Sequence, residues 1–252
     1  MELTVVPHID VPELHLYCLS DLHFGSAECD EDLLQHDIDV IKADPHARCI
    51  LNGDLLQMDT KNSKGNVYHQ KYPPSKQKQL LRQILSGISH KILAMQGGNH
   101  DEGRTEEDST AIFDIAEHLG VTYTDTEMCL KVPVGAKKSN GKPAVYTVFA
   151  VHGWSNGRLV GAKANNLHRL ADIVLADVYF ISHTHTQIAF PDTYYVPDLR
   201  NNNMMQITRY YVNTGSYQGR GRYPKSKGMR PTVLGTPKVV FSGVEKRIEV
   251  RI

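Results

Sequence analysis

The sequence predicts a layered α/β fold with at least one mixed sheet. Two patterns carry that reading: short apolar runs that each end in a polar, glycine-rich turn, and helical spacing between the early ones. LHLYCL (14–19) runs into SDLH and has the length of a buried strand. Asp30 to Ala43 then places Leu33, Leu34, Ile38 and Ile41 at helical spacing, with acidic residues in the first turn. RCIL (48–51) ends at NGD, and Ser75 to Leu85 repeats the helical pattern with Leu80, Leu81 and Ile84. KILAM (91–95) ends at QGGNHD; Ser109 can cap a helix holding Ile112, Ile115, Ala116 and Leu119, and Gly120 suits its end. Strand patterns dominate thereafter: Leu130–Val134, Tyr146–Val151 before HGW, and Val178–Ile181 before SHTHT. Gln206–Asn213, Lys238–Phe241 and Arg247–Ile252 complete them. KKSNGK (137–142) reads as a hairpin loop, and with no repeat or linker visible, residues 1–252 are expected to form a single domain.

Composition excludes little. The 252 residues are 40% hydrophobic and 22% charged with no formal net charge, so whole-chain basicity gives no reason to invoke nucleic acid. Charge is segregated, however. Asp10–Asp44 and Asp101–Glu127 are strongly acidic, while 61–91 and 200–230 contain no Asp or Glu, and such blocks can simply face each other in a fold. Cys18, Cys29, Cys49 and Cys129 have no CxxC spacing. MELTVVPHIDVPE lacks a basic region followed by an apolar one, and no run approaches the roughly 18–20 apolar residues of a membrane span. A reducing, cytoplasmic setting without membrane contact is the resulting expectation.

In open α/β sheets, active groups gather beyond the carboxyl ends of strands. Those positions here hold Asp21 and His23, then Asp54, then Asn99, His100 and Asp101, then His152, then His183 and His185. Asp21/His23 and His183/His185 are two residues apart, so in extended backbone each pair would point to one side. Singly, a strand-end Asp is a turn former and a lone His a solvated or core residue. Together they offer carboxylate, imidazole and amide oxygen, ligands suited to Mn, Fe, Zn or Ni. No cysteine joins the set, which argues against a structural zinc site.

Taken in order, SDLHFG, NGDLLQ, GGNHDEG, VHGW and SHTHT resemble the motifs of the calcineurin-like metallophosphoesterases, across residues 21–185. The resemblance implies a four-layer sandwich of two mixed β-sheets flanked by helices. It puts Asp21, His23 and His185 on one divalent transition-metal ion, Mn being preferred and Fe, Zn or Ni alternatives. Asn99, His152 and His183 would hold a second ion, with Asp54 bridging both. His100 would bind phosphate or protonate the leaving oxygen, and Asp101 would orient its imidazole. Two such ions, about 3.5–4 Å apart, would neutralise phosphate and supply a bridging hydroxide for in-line attack. Ser182 departs from the pattern, standing where the family has glycine, with packing near the turn the expected consequence.

The branch is narrowed by exclusion. GDxVDRG and GNHE, marks of phosphoprotein phosphatases, are absent; Gln57 stands where purple acid phosphatases place an iron-binding tyrosine; GNHD replaces the GNRD of lipid A precursor hydrolases. The motifs look closest to the small-phosphodiesterase and repair-nuclease branches, implying a phosphate-ester partner such as DNA, RNA or a nucleotide. A phosphomonoesterase and a catalytically silent scaffold are the alternatives. The NPGS-like turn of small phosphodiesterases has a counterpart in Asn213–Ser216, making Asn213 and Ser216 candidates either to support the metal ligands from behind or to contact phosphate. The basic Gly/Tyr-rich stretch at 215–230 follows, and Arg220 and Arg222, with Tyr217 and Tyr223, suit phosphate and base. Tyr68–Arg82 is a second basic candidate for the same cleft.

Overall fold

The computed structural model describes residues 2–61, 63, 67–101, 111–136, 142–154, 157–221, 225–226, 228 and 230–252. Its strands are β1 (Leu3–Val5), β2 (Glu13–Leu19), β3 (Ala47–Asn52), β4 (Ile92–Gln96), β5 (Tyr123–Thr124) and β6 (Glu127–Val134). The second half adds β7 (Ala144–Val151), β8 (Val178–Ile181), β9 (Ile188–Asp198), β10 (Asn203–Asn213), β11 (Lys238–Ser242) and β12 (Ile248–Arg251). Helices α1 (Glu31–Ala43), α2 (Pro74–Ser86), α3 (Ala111–Leu119) and α4 (Val160–His168) connect them. No helix of the described residues is long and apolar enough to cross a membrane.

Two six-stranded mixed sheets result, ordered β12-β11-β2-β3-β4-β5 and β1-β6-β7-β8-β10-β9. Within the first, β2, β3, β4 and β5 are parallel; within the second, β7, β8 and β10 are parallel. Strand alternation sorts the core into layers. Leu14, Leu16 and Cys18 of β2 meet Tyr146, Val148 and Ala150 of β7 and Phe180 of β8 between the sheets. Leu34, Ile38 and Ile41 of α1, Leu81 and Leu85 of α2, and Ile112 and Ile115 of α3 cover the outer face of the first sheet. Leu167 of α4 packs on Phe149, Tyr179 and Tyr211 outside the second. The order helix, sheet, sheet, helix is the four-layer sandwich expected.

Local chemistry sets the element ends. Asp30 accepts from the amide of Leu33 at 3.0 Å and so caps α1, an orphan donor satisfied. Beyond its other end, the buried Lys91 amine donates to the carbonyl of Ile41 at 2.8 Å. The expected cap Ser109 and residues 137–141 of KKSNGK lie outside the described residues, although β6 and β7 do pair antiparallel on either side of the latter. Strand β9 escaped the sequence reading because IAFPDTYYVPD carries two prolines. The structure places it at a sheet edge, where Pro191 and Pro197 lack the N–H that a ladder bond needs and blunt the edge against further pairing. Helix α4 escaped it because VGAKANNLH has weak helix formers at Gly161, Asn165 and Asn166.

Truncating Phe180, fully buried between the sheets, to alanine should lower stability by about 3–5 kcal/mol. Urea unfolding measures this, and a loss near 1 kcal/mol would place Phe180 outside a tightly packed core.

Candidate metal centre

Five strands, β2, β3 and β4 of the first sheet and β7 and β8 of the second, end where the predicted donors lie. After β2, the backbone of Asp21–Phe24 runs beside Gly53–Leu55, with Asp21 N donating to Gly53 O and His23 N to Asp54 O, both at 3.0 Å. The pairs Asp21/His23 and His183/His185 are not extended, which corrects the strand-alternation expectation. Asp21, His23, Asp54, His183 and His185 all have positive φ, between 46° and 67°. Each such turn costs an L-residue roughly 1–2 kcal/mol. The left-handed turns, not a pleat, aim these side chains.

They converge. Asp21, His23 and His185 form one group whose candidate ligand atoms all lie within 4.8 Å of one another; Asp54, His152 and His183 form a second, and His23, Asp54 and His100 a third that joins them. Gly53 and Gly98 make the approach feasible: a Cβ on Gly53 would sit 2.5 Å from the His152 ring, and one on Gly98 would sit 2.3 Å from the amide nitrogen of Asp54. Asn99 is exposed in the same turn as His100, whose amide donates to Asp54 Oδ1 at 2.8 Å. The His100 ring packs edge-on to His23, with its Nε2 4.0 Å from Asp54 Oδ2.

Outer contacts fix which ring nitrogen faces inward. Gln57 gives its amide N–H to Asp59 at 2.9 Å, so its oxygen must face the Nδ1–H of His23, 3.0 Å away. That leaves the Nε2 lone pair of His23 opposite His185 Nε2 at 3.1 Å. His152 Nδ1 donates to Asn52 O at 2.9 Å, turning Nε2 towards Asp54 Oδ2 at 3.2 Å, close but out of hydrogen-bonding line. Asp21 Oδ1, His152 Nε2 and His183 Nδ1 are buried without a hydrogen-bond partner. Buried polar atoms seldom lack partners, and three at one point are the pattern a cation would complete.

The electrostatics agree. Burial works to raise the Asp54 carboxyl, yet the imidazoles of His152, His100 and His23 hold it well below the usual carboxylate range. Burial and then the neighbouring rings of His100 and His185 hold His23 well below its ordinary value. His152 is pushed the other way: burial opposes protonation, but Asp54 and Asp21 raise it to about 10.

Several predicted residues have other partners than expected. The Asp101 carboxylate accepts from the amides of Leu55, Leu56 and Gly98 at 2.7–3.1 Å, tying the loop after β4 to the loop after β3; the His100 imidazole is not among those partners. Asn213 and Ser216 are fully buried, which corrects the phosphate-contact half of their reading and leaves support of the ligand-bearing loops as the other half. Asn213 bonds the Thr184 hydroxyl, and the Ser216 hydroxyl donates to the carbonyl of Asp21 at 2.9 Å. Arg220 is exposed, and the loop before it runs back along the acidic segment, Gly219 N donating to Glu28 O at 2.9 Å. Arg222 and Tyr223 lie outside the described residues. Of the second basic candidate, His69 and Lys71 bond the backbone of Ala27 and Gly25, so both loops border the segment that follows His23.

Ser182 does more than pack. It is the node of a buried side-chain network that crosses from sheet to sheet beneath the donors. Gln96 donates to Asn52; Asn52 donates to Ser182 Oγ at 2.6 Å and to Val151 O at 2.9 Å; Thr214 donates to Ser182 Oγ at 3.0 Å and meets Ser20 at 2.7 Å. Asn52 was quoted within NGD but given no role, since its partners are 99 and 130 residues away in sequence.

Among solved structures, a metallophosphoesterase from Sphaerobacter thermophilus is similar to this chain, 14% identical over 94% of this chain and 87% of its own, with a TM-score of 0.43. Vacuolar Protein Sorting 29 from Cryptosporidium Parvum is 14% identical over 95% and 96%, with a TM-score of 0.43. The Pseudomonas putida nuclease MPE is 12% identical over 92% and 85%, with a TM-score of 0.38. No protein-family model and no curated protein matches the chain.

Replacing Ser182 by alanine should cost about 1–3 kcal/mol, because Asn52 and Thr214 each lose a buried partner. Combined with Thr214→Val, it should cost less than the two single losses added. Strict additivity in thermal unfolding would show that the two hydroxyls are not coupled.

Proposed function

We propose that the chain is a two-metal-dependent phosphoesterase whose preferred substrates are phosphodiesters of nucleic acid or nucleotide type. One observation carries the reading: two His/Asp donor groups joined by a third that shares His23 and Asp54, with buried polar atoms left unpartnered among the described residues. Asp21, His23 and His185 would hold one ion and Asn99, His152 and His183 the other, with Asp54 between them. The donors are nitrogen and oxygen, which suits Mn first and Fe, Zn or Ni next. When bound, such a pair of ions neutralises phosphate charge and acidifies water.

The chain's own residues supply the rest. His100 presents Nε2 on the side of Asp54 Oδ2, 4.0 Å away, where it can hold a proton for the departing oxygen of an ester bound over that carboxylate. Gln57 keeps the proton of His23 on Nδ1, so that Nε2 stays an acceptor towards the site. Asp101 and Ser216 bind backbone rather than substrate, and fix the loops of Asp54 and Asp21 in place. The donor groups contain only Asp and His, so the reading calls for no serine or cysteine nucleophile.

The test is Mn²⁺-supplemented hydrolysis of p-nitrophenyl phosphate, its bis ester, cyclic nucleotides, and single- and double-stranded DNA. Diester cleavage lost on chelation is the expected result; cleavage of monoesters alone would sink the diesterase reading, and no cleavage of any ester the enzyme reading itself. His100→Ala should keep its manganese while diester turnover falls about 10²–10⁴-fold. Asp54→Ala should instead lose the metal, as elemental analysis of the purified variants would show.

A further inference from the structure

Two described stretches, 152–154 and 157–163, each touch the donor cluster at one end. At the start of the first, His152 is fastened through Nδ1 to Asn52 O. At the end of the second, the Lys163 amine donates to Thr184 O at 2.9 Å and bonds the Thr186 hydroxyl, gripping the turn that carries His183 and His185. Between those two anchors, large apolar side chains stand in water: Trp154 is 58% exposed, Leu159 70% and Val160 54%. Single exposed apolar residues need no explanation, but three within seven sequence positions, on stretches fastened to a polar site, do. Helix α4 buries Leu167 against the second sheet, and that packing leaves Leu159 and Val160, at its beginning, outside the core. Arg158 is exposed beside them.

We propose that Trp154, with Leu159 and Val160, is the shelf on which the base of a nucleotide or nucleic-acid strand stacks while its phosphate lies among the His/Asp donors. The proposal rests on the phosphoesterase reading above and names the part of the substrate that the donors do not touch. An indole offers a large π-face to any base, so the contact favours base-bearing esters without reading sequence. The exposed Arg158 carries a planar fork of the kind that suits a neighbouring phosphate. A site meant for inorganic phosphate or a small sugar phosphate has no use for an exposed indole two residues from a donor.

Trp154 is the only tryptophan of the chain, so its fluorescence reports this position alone. Mn²⁺-loaded protein is titrated with thymidine monophosphate, a short oligothymidylate and inorganic phosphate. Saturable quenching by both thymidine ligands, and none by phosphate, is expected; quenching by the oligomer alone assigns the shelf to strands rather than free nucleotides. In parallel, Trp154→Ala should raise KM for the oligomer about tenfold, Trp154→Phe should restore it to within about threefold, and calorimetric Mn²⁺ affinity should stay unchanged in both. Diester hydrolysis with no quenching by either thymidine ligand, or with KM unmoved in Trp154→Ala, overturns the shelf and leaves the phosphoesterase reading intact. Lost Mn²⁺ affinity in Trp154→Ala overturns it too, by making the residue a structural one. If no phosphate ester is hydrolysed, the enzyme reading fails and the quenching titration still decides whether a base binds at Trp154.

Discussion

The position of every donor depends on a short buried chain of hydrogen bonds from Gln96 through Asn52, Ser182 and Thr214 to Ser20. The two sheets meet through an apolar interface, and apolar contact is non-directional: it holds the sheets together without fixing where one strand end stands against another. Hydrogen bonds between fully buried groups do fix it, because breaking one leaves a donor or acceptor with no water to turn to. The chain crosses at the ends of β3, β4 and β8 and just beyond β2 and β10, directly under the turns that carry the donors. Asn52 is its most heavily used member. Both amide hydrogens are spent across the sheet gap, on Val151 and Ser182, and its carbonyl sets the tautomer of His152.

That joint makes the strained turns above it affordable. Five of the seven expected ligands sit in left-handed backbone, a conformation no L-residue adopts without cause. The cause is visible in what surrounds them: amides of Asp21 and His23 bonded to the Asp54 loop, Asp101 drawing three amides together, and the 213–217 turn gripping Asp21 through Ser216 and Tyr217. Strain held in place by that many partners and spent on bringing anions and imidazoles together is characteristic of a site rather than of a core. The inference runs from the outliers to function, since the same residues in relaxed turns would diverge into solvent.

The sequence showed the donors because their residue types are rare at strand ends, and it showed the layers because the apolar runs have strand length. Its errors have a common origin. The two-residue spacing of Asp21/His23 suggested a pleat, but the glycine beside Asp54 and the bonds between neighbouring loops turn the backbone left-handed instead. Asn213 and Ser216 are polar and follow a strand, so phosphate and the ligand loops are equally open as their partners; what decides between them is their bonds to Thr184 and Asp21, 29 and 195 residues away. Gln57 was visible only as a missing tyrosine, although its amide orients His23. Ser182 was visible only as a missing glycine. In each case the residue's partner, rather than the residue, carries the meaning, and partners that far apart leave no local periodicity.

The stretch GSYQGRGRYPKSKG shows the same limit in electrostatic form. Alone it is strongly basic, and alone it would attract any anion. In the fold its first part lies on the strongly acidic segment after His23: Tyr217 O accepts from Asp30 N, Gly219 N donates to Glu28 O, and Gly221 is packed so closely on the Glu28 side chain that no Cβ would fit. Glu28, Asp30, Glu31 and Asp32 line the cavity beside it, with Lys71 already paired to Glu31. The carboxylates lining that cavity offset positive charge in their surroundings, and Lys71 and Glu31, 2.8 Å apart, cancel much of each other's field beyond a Debye length of about 8 Å. The basic composition of the stretch is therefore not by itself a long-range attraction for phosphate. The discrimination has to be made at short range, by the donors themselves and by whatever apolar surface lies beside them.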